Sequence, residues 1–182
     1  HERDDPGQVG LIGERLQVEH HPGVLADGVG HTRGLLDRFG PERVFDTPIS
    51  ESGIAGLAVG AALMGMRPVV EMQFTGLITV AMDQIVNHAA KIRYMSGGQF
   101  NVPMIIRTVT GGGAQLAATH SQSLEGWFAS VPGLRVAVPS TPYDALGLFR
   151  SSLQQEDPVI FVEHTLLYSS RGEVPDEWYV VP

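Results

Sequence analysis

The sequence predicts an α/β fold, a largely parallel sheet with helices on both faces. Three observations predict it. Short apolar runs alternate with helical patterns along the 182 residues, the order that builds parallel strands joined by crossover helices. Neither an internal repeat nor a low-complexity linker interrupts that order. Glycine is abundant at 22, which suits tight turns and close backbone packing.

Residues 9–12 read as a buried strand, followed by a loop rich in Gly, His and Pro over residues 17–30. Residues 32–39 read as a short helix closed by Gly40, a residue suited to a left-handed helix end. Residues 43–45 form the next strand. Ser50 or Ser52 is placed to cap a helix that runs to about Leu63. Residues 66–74 are strand-like, with Pro68 restricting pairing at the start. Met82, Ile85, Val86, Ala89 and Ala90 recur at helical spacing and mark a buried helix face. Residues 102–107 and 134–138 are further strands, separated by Gly111-Gly112-Gly113 and a helix over residues 123–130. Thr141-Pro142 opens a helix with Pro at its first position. Residues 159–162 are the last clear strand. The expected organisation is one domain over residues 1–168 and an irregular tail over 169–182.

Composition closes several routes. A formal charge of -8 argues against a nucleic-acid groove or an anionic membrane surface. Without cysteine there are no disulfides, thiolate nucleophiles or Cys-based zinc sites. No apolar run approaches the roughly 18 residues of a membrane span. Lys91 is the single lysine among 12 basic residues and follows Ala89-Ala90, so no Walker A phosphate loop exists. Residues 1–6 contain neither an initiator Met nor an apolar signal core.

Asp46-Thr47-Pro48-Ile49-Ser50-Glu51-Ser52-Gly53 is the densest signal: a strand ends, the chain turns, and a helix begins near Glu51. Ligands of open α/β sheets gather at such places. A carboxylate there also compensates a helix dipole, worth about 0.3–1 kcal/mol, and spacing alone does not separate the two readings. Gly53, Gly56 and Gly60 share one helix face although each costs up to ~1 kcal/mol against Ala. Close packing on the chain's own sheet and a subunit contact both explain them. Glu19, His20, His21 and His31 have no common zinc spacing, and an exposed loop is the simpler reading. His88 reads as solvated or interhelical. His120 differs: it stands at a loop-to-helix junction before Ser121-Gln122-Ser123, a place for a proton donor or an anion-binding group. No G-x-S-x-G elbow accompanies Ser121, and the glycine run has no dinucleotide fingerprint.

A series of stretches carries a resemblance. They are Gly13-Glu14, Thr32-Arg33-Gly34-Leu35, the segment from Phe39-Gly40-Pro41 through Gly60, Asp83-Gln84-Ile85-Val86-Asn87, Tyr94-Met95-Ser96-Gly97-Gly98-Gln99-Phe100, His120-Ser121-Gln122-Ser123, Pro132-Gly133-Leu134 and Pro139-Ser140-Thr141-Pro142-Tyr143-Asp144-Ala145. In this order, over residues 9–168, they resemble the β subunit of thiamine-diphosphate-dependent 2-oxoacid dehydrogenases (E1 components) of the branched-chain, pyruvate and acetoin types.

The resemblance implies a transketolase-like pyrimidine-binding domain and a set of expectations. An E1 α subunit would hold the diphosphate of thiamine diphosphate through magnesium, and this chain the aminopyrimidine. A second β subunit and a lipoyl carrier (E2) would be further partners, and the location the cytoplasm. Glu51, in Pro-Ile-Ser-Glu, matches the family's essential acid, which bonds the pyrimidine ring nitrogen and promotes loss of the thiazolium C2 proton. The reaction implied is oxidative decarboxylation of a 2-oxoacid with acyl transfer to lipoyl, the cofactor carrying the electron sink. His120 matches the active-site histidine. Ile49, Leu77 and Glu14 match cofactor-side positions. Backbone carbonyls of Val102, Met104, Ile105, Ser152, Gln155 and Asp157 match a potassium site of some members.

The sequence departs from the family in three places. Leu77 stands where relatives stack an aromatic residue on the pyrimidine. The loop after Glu14 is longer. The family's C-terminal domain is absent and its N-terminal helix mostly missing, which fits either a fragment or a reduced relative. A lyase or carboligase subunit and a noncatalytic scaffold of the same fold are the alternatives; retention of Glu51 and His120 weighs against the scaffold.

Overall fold

The computed structural model describes residues 11–14, as backbone, and residues 35–182. Six strands form one sheet: β1 (Leu11–Glu14), β2 (Val44–Thr47), β3 (Val69–Met72), β4 (Ile105–Thr110), β5 (Arg135–Ala137) and β6 (Val159–His164). Their order is β2-β1-β3-β4-β6-β5, and every neighbouring pair is parallel. The chain thus leaves β1 towards one edge and returns on its other side as β3, a topological switch point between β1 and β3.

Period-2 alternation divides the strands between two apolar layers. Val70, Met72, Ile106, Ile160 and Val162 face one core, which they share with Ile54, Ala58, Ile85 and Phe128 from the helical side. Val69, Ile105, Val159 and Phe161 face the other, under Leu148, Phe149 and Leu153. These last three belong to the helix Pro142–Leu153, here α6. The expected strands are all present where they lie in the described residues. The fourth is displaced: it begins at Ile105 rather than 102, because Val102 and Met104 pack as buried turn residues ahead of it, with Met104 N donating to Val102 O.

The other helices are α1 (Leu35–Phe39), α2 (Glu51–Leu63), α3 (Thr75–Ile78), α4 (Ile92–Met95) and α5 (Glu125–Ala129). Helix α2 contains all three aligned glycines, a cost of up to about 3 kcal/mol against alanine. Burial of Ile54 and Val59, with Ala55, Ala58 and Ala62, against the sheet returns at least as much, at roughly 1.5–3 kcal/mol for each large side chain. Neither expected serine caps it: Ser50 Oγ donates to Pro48 O at 3.1 Å, and Ser52 Oγ reaches Val80 O at 2.6 Å. By contrast Thr141 Oγ1 accepts from Asp144 N at 3.0 Å and caps α6. Ser140 Oγ bonds the Asp144 carboxylate from outside, and together with Thr141 holds it below the usual carboxylate range.

The single amphipathic helix expected around 82–90 is instead built in pieces. A 3₁₀ turn (Thr79–Ala81) follows α3, and a π-helix (Asp83–Ala89) follows that. The buried positions are still Ile85, Ala89 and Ala90, so the apolar stripe is kept while the hydrogen-bond ladder widens. His88 is exposed there and lies 3.5 Å from Asp83 on the same turn. Lys91 Nζ donates to Pro132 O at 2.6 Å, a structural tie.

Residues beyond Tyr168 form no helix or strand after the short turn that contains Leu167, yet the tail is packed. Tyr179 stacks on Tyr143 at 4.4 Å, and Arg150 lies over the Trp178 ring at 4.5 Å. Among the described residues no helix is long and apolar enough to cross a membrane.

Candidate functional site

Strands β1, β2, β3 and β4 all run towards one edge of the sheet, and each hands a segment to it. Strand β2 ends at Thr47, and the turn through Pro48 and Ile49 delivers Glu51 to the first turn of α2. Glu14 is the last residue of β1 and pairs in register with Thr47, so its backbone stands beside the end of β2; its side chain lies outside the described residues. Strand β3 leads through Phe74 into α3, which contains Leu77. Strand β4 leads through the glycine loop to a 3₁₀ turn (Ala118–His120) that ends on His120. Glu51, Leu77, His120 and the backbone of Glu14 therefore all lie at or beyond the carboxyl ends of β1 to β4.

Hydrogen bonds tie these segments to one another. Ser52 Oγ on α2 donates to Val80 O just beyond α3. Thr75 Oγ1 on α3 donates to Gln122 O at 2.8 Å, two residues after His120. The Phe74 ring lies 4.6 Å from the His120 ring at a 58° tilt. Thr119 Oγ1 engages His120 Nδ1 at 2.7 Å, which leaves Nε2 as the nitrogen for chemistry.

Glu51 is 8% exposed, and its carboxylate has no hydrogen-bond or ion-pair partner among the described residues. Its place at a helix N-terminus offsets part of the desolvation through the helix dipole. A buried acid without a partner is a costly arrangement unless something else completes it. Ile49, next to it, is 58% exposed and Leu77 is half-buried, so apolar surface borders the acid. This set suits a flat heteroaromatic ring: an acid for a ring nitrogen, aliphatic side chains for the ring faces, and an imidazole at one side.

The residues matched to potassium gather at the start of β4 and the turn between α6 and β6. Four of these six carbonyls already accept a hydrogen bond. Val102 O accepts from Met104 N, Met104 O from Val159 N, and Ser152 O from Gln155 N. Arg67 is the notable occupant: Nη1 donates to Leu153 O at 3.1 Å and to Gln155 O at 2.7 Å, and Nη2 pairs with Glu156. The Asp157 carboxylate pairs with Arg93 and Arg135. The Arg67 guanidinium thus brings positive charge to Gln155 O, one of the six carbonyls matched to the cation. Among the described residues no cluster of His, Asp or Glu could hold a metal ion. Glu19, His20, His21 and His31 lie outside the described residues.

A cavity of about 620 Å³ lies between the sheet and α6, lined by Val69, Phe149, Phe161 and Leu167; neither Glu51, Leu77 nor His120 borders it. Its polar wall is a network that motif reading missed. Arg107 on β4 holds Glu163 on β6 bidentately at 2.9–3.1 Å and reaches Glu71 on β3 at 3.6 Å. Burial acts to lower the Arg107 pKa, but Glu163 and Glu71 outweigh it and raise it above the ordinary value. Tyr168 OH donates to Glu163 Oε2 at 2.8 Å, and burial with that carboxylate pushes the phenol pKa far up, so it remains a donor. The available signal was one charge inside each of three apolar strands.

The fold is an open, doubly wound α/β domain with a topological switch point, and a buried acid and a partly buried imidazole follow the carboxyl ends of its strands. Residues 25–170 match the family model described as transketolase, pyrimidine binding domain, and the chain belongs to that family. It is 47% identical to the 2-oxoisovalerate dehydrogenase subunit beta of Bacillus subtilis (strain 168), covering 93% of this chain and 54% of that one. It is 49% identical to the acetoin:2,6-dichlorophenolindophenol oxidoreductase subunit beta of the same organism, over 94% and 52%. A chloroplastic pyruvate dehydrogenase E1 component subunit beta-2 of Arabidopsis thaliana is 44% identical over 92% and 43%. The chain thus spans about half the length of the curated relatives it matches. Among solved structures, a split-gene transketolase described as an inactive beta4 tetramer has the same fold, with a TM-score of 0.62 at 19% identity, covering 88% of this chain and 46% of that one.

Proposed function

We propose that this chain is the pyrimidine-binding part of a β-type subunit in a thiamine-diphosphate-dependent 2-oxoacid dehydrogenase, which decarboxylates a 2-oxoacid and passes the acyl group to lipoyl. The observation that carries the reading is Glu51: a carboxylate 8% exposed at the first turn of α2, with no partner among the described residues, in the sequence Pro-Ile-Ser-Glu. Thiamine diphosphate, when bound, supplies the electron sink for loss of carbon dioxide. Glu51 holds a proton against the pyrimidine ring nitrogen. Ile49 and Leu77 pack on the ring, Leu77 with aliphatic contact in place of aromatic stacking. Glu14 borders the site from β1. His120, oriented through Nδ1 by Thr119, moves a proton at Nε2.

The diphosphate and its magnesium belong, in this reading, to an α-type partner, because the chain has no phosphate-loop motif. A second β subunit, a lipoyl carrier and a cytoplasmic location complete the proposal. The test is calorimetry with thiamine diphosphate and magnesium. The chain alone is expected to give no tight binding, and the chain with its α-type partner to saturate. Micromolar affinity without a partner would refute a split site.

The glycine face of α2 supports the subunit contact. Among the described residues, a Cβ on Gly60 would meet nothing within 4 Å, and one on Gly56 only the Gln84 side chain at 3.4 Å. The chain's own sheet does not fill that face, which continues through the exposed Leu57 and Met64. Gly60→Leu should therefore leave the melting temperature within a few degrees while association fails by sedimentation. A fall in melting temperature at every protein concentration, with association intact, would favour packing within the chain.

A further inference from the structure

We propose that Gly76 is a positioning residue: its missing side chain lets α3 dock on the backbone of residues 119–122, and this docking sets His120 relative to Leu77. A Cβ built on Gly76 would stand 2.6 Å from Thr119 O and 2.6 Å from Gln122 Nε2. The amide side chain can swing aside. The Thr119 carbonyl cannot, because it belongs to the peptide that leads into His120.

The docking is latched by the two residues before Gly76. Thr75, fully buried, donates from Oγ1 to Gln122 O at 2.8 Å. The same carbonyl accepts from Gly111 N at 3.3 Å, so it joins α3 to the end of β4. Thr110 Oγ1 lies 3.2 Å from it and 2.9 Å from Glu125, and donates to one of them at a time. Phe74, two residues before Gly76, packs its ring against the imidazole. Three consecutive residues thus act on one loop: Phe74 holds the ring, Thr75 bonds the backbone, and Gly76 leaves the space. An alanine at position 76 forces a shift of α3, which contains Leu77, or of the loop, which contains His120. Either one changes the separation between them.

The kinetic arm rests on the proposed role of His120, whereas the spectroscopic arm does not. Gly76→Ala is made in the complex with the α-type partner, with histidine labelled at the ring carbons and His120 assigned by the His120→Gln difference spectrum. The His120 ring signals are expected to lose the displacement caused by the Phe74 ring. Turnover should fall roughly 10- to 100-fold, the penalty of a misplacement near 1 Å. Thr75→Val, which removes the latch without adding an atom, should move the same signals in the same direction, and Thr75→Ser should restore them. If Gly76→Ala does not fold, the Thr75 pair decides. Unmoved His120 signals in the folded Gly76→Ala or Thr75→Val complex would overturn the proposal. Moved signals with unchanged turnover would uphold the docking and overturn the role of His120. A wild-type complex without C2 exchange would instead sink the proposed function and leave the docking to the spectra.

Discussion

Glu51→Gln is expected to lower C2 hydrogen–deuterium exchange of thiamine diphosphate by roughly 10²–10⁴-fold in the complex with an α-type partner, the range for loss of a positioned acid. Glutamine keeps the shape of the side chain and a hydrogen-bonding tip, but not the acid. What the fold itself loses is small: about 0.3–1 kcal/mol of helix-dipole interaction at the start of α2. For a chain of this size that moves the melting temperature by only about 1–4 °C. The two effects are far enough apart to be read separately. A near-wild-type melt with collapsed exchange supports the assignment; normal exchange in the variant rejects it, and Glu51 is then a helix-start acid and nothing more.

Arg107→Met should be the most destabilising single change outside the apolar core. The guanidinium sits between Glu163 and Glu71 with 12% of its side chain exposed, against 17% and 25% for the two acids. Methionine fills much of the volume and leaves two carboxylates facing one another without their shared cation. Removing one partner from a buried ion pair costs 3–5 kcal/mol; the residual exposure puts this case near about 3. Thermal melts should show a drop of roughly 6–12 °C. Arg107→Lys keeps the charge but loses the planar fork and should fall between. Adding Glu163→Gln to Arg107→Met should recover part of the loss, because the exposed problem is the carboxylate and not the missing arginine. A melt unchanged in Arg107→Met would mean that solvent and the acids' remaining partners make up for the lost cation.

Much of the site was legible because it is local. Thr47-Pro48 has to end a strand, the residues after it have to turn, and the apolar spacing from Ile54 onward has to form a helix, so Glu51 falls at a helix start from sequence alone. The same holds for His120, which follows a glycine loop and precedes a short helix. A tertiary contact overrode the local signal at Ser52, whereas Ser50 turns back to Pro48 O, two residues away. Ser52 is a good capping residue by type, but its hydroxyl is taken by Val80 O, 28 residues away. The π-helix at Asp83–Ala89 was illegible for a related reason. Its apolar stripe reads as helical, and the widening of its turns comes from packing on α2 and on the sheet.

The sequence by itself determined the alternation of strands and helices, the two-sided burial of the sheet, and the element ends at which Glu51 and His120 stand. It did so because period, turn residues and helix starts are properties of neighbouring residues. Only the tertiary structure decided which strands lie side by side. The order β3-β4-β6 places Arg107 between Glu71 and Glu163 and turns three isolated charges into one network. It also brings Gly76 against Thr119 and Arg67 against Gln155, contacts across 43 and 88 residues. Periodicity states which face of a strand a residue takes. It carries no information about the neighbour across the sheet, and that neighbour decides whether a charge is paired, a glycine is needed, or a carbonyl is already occupied.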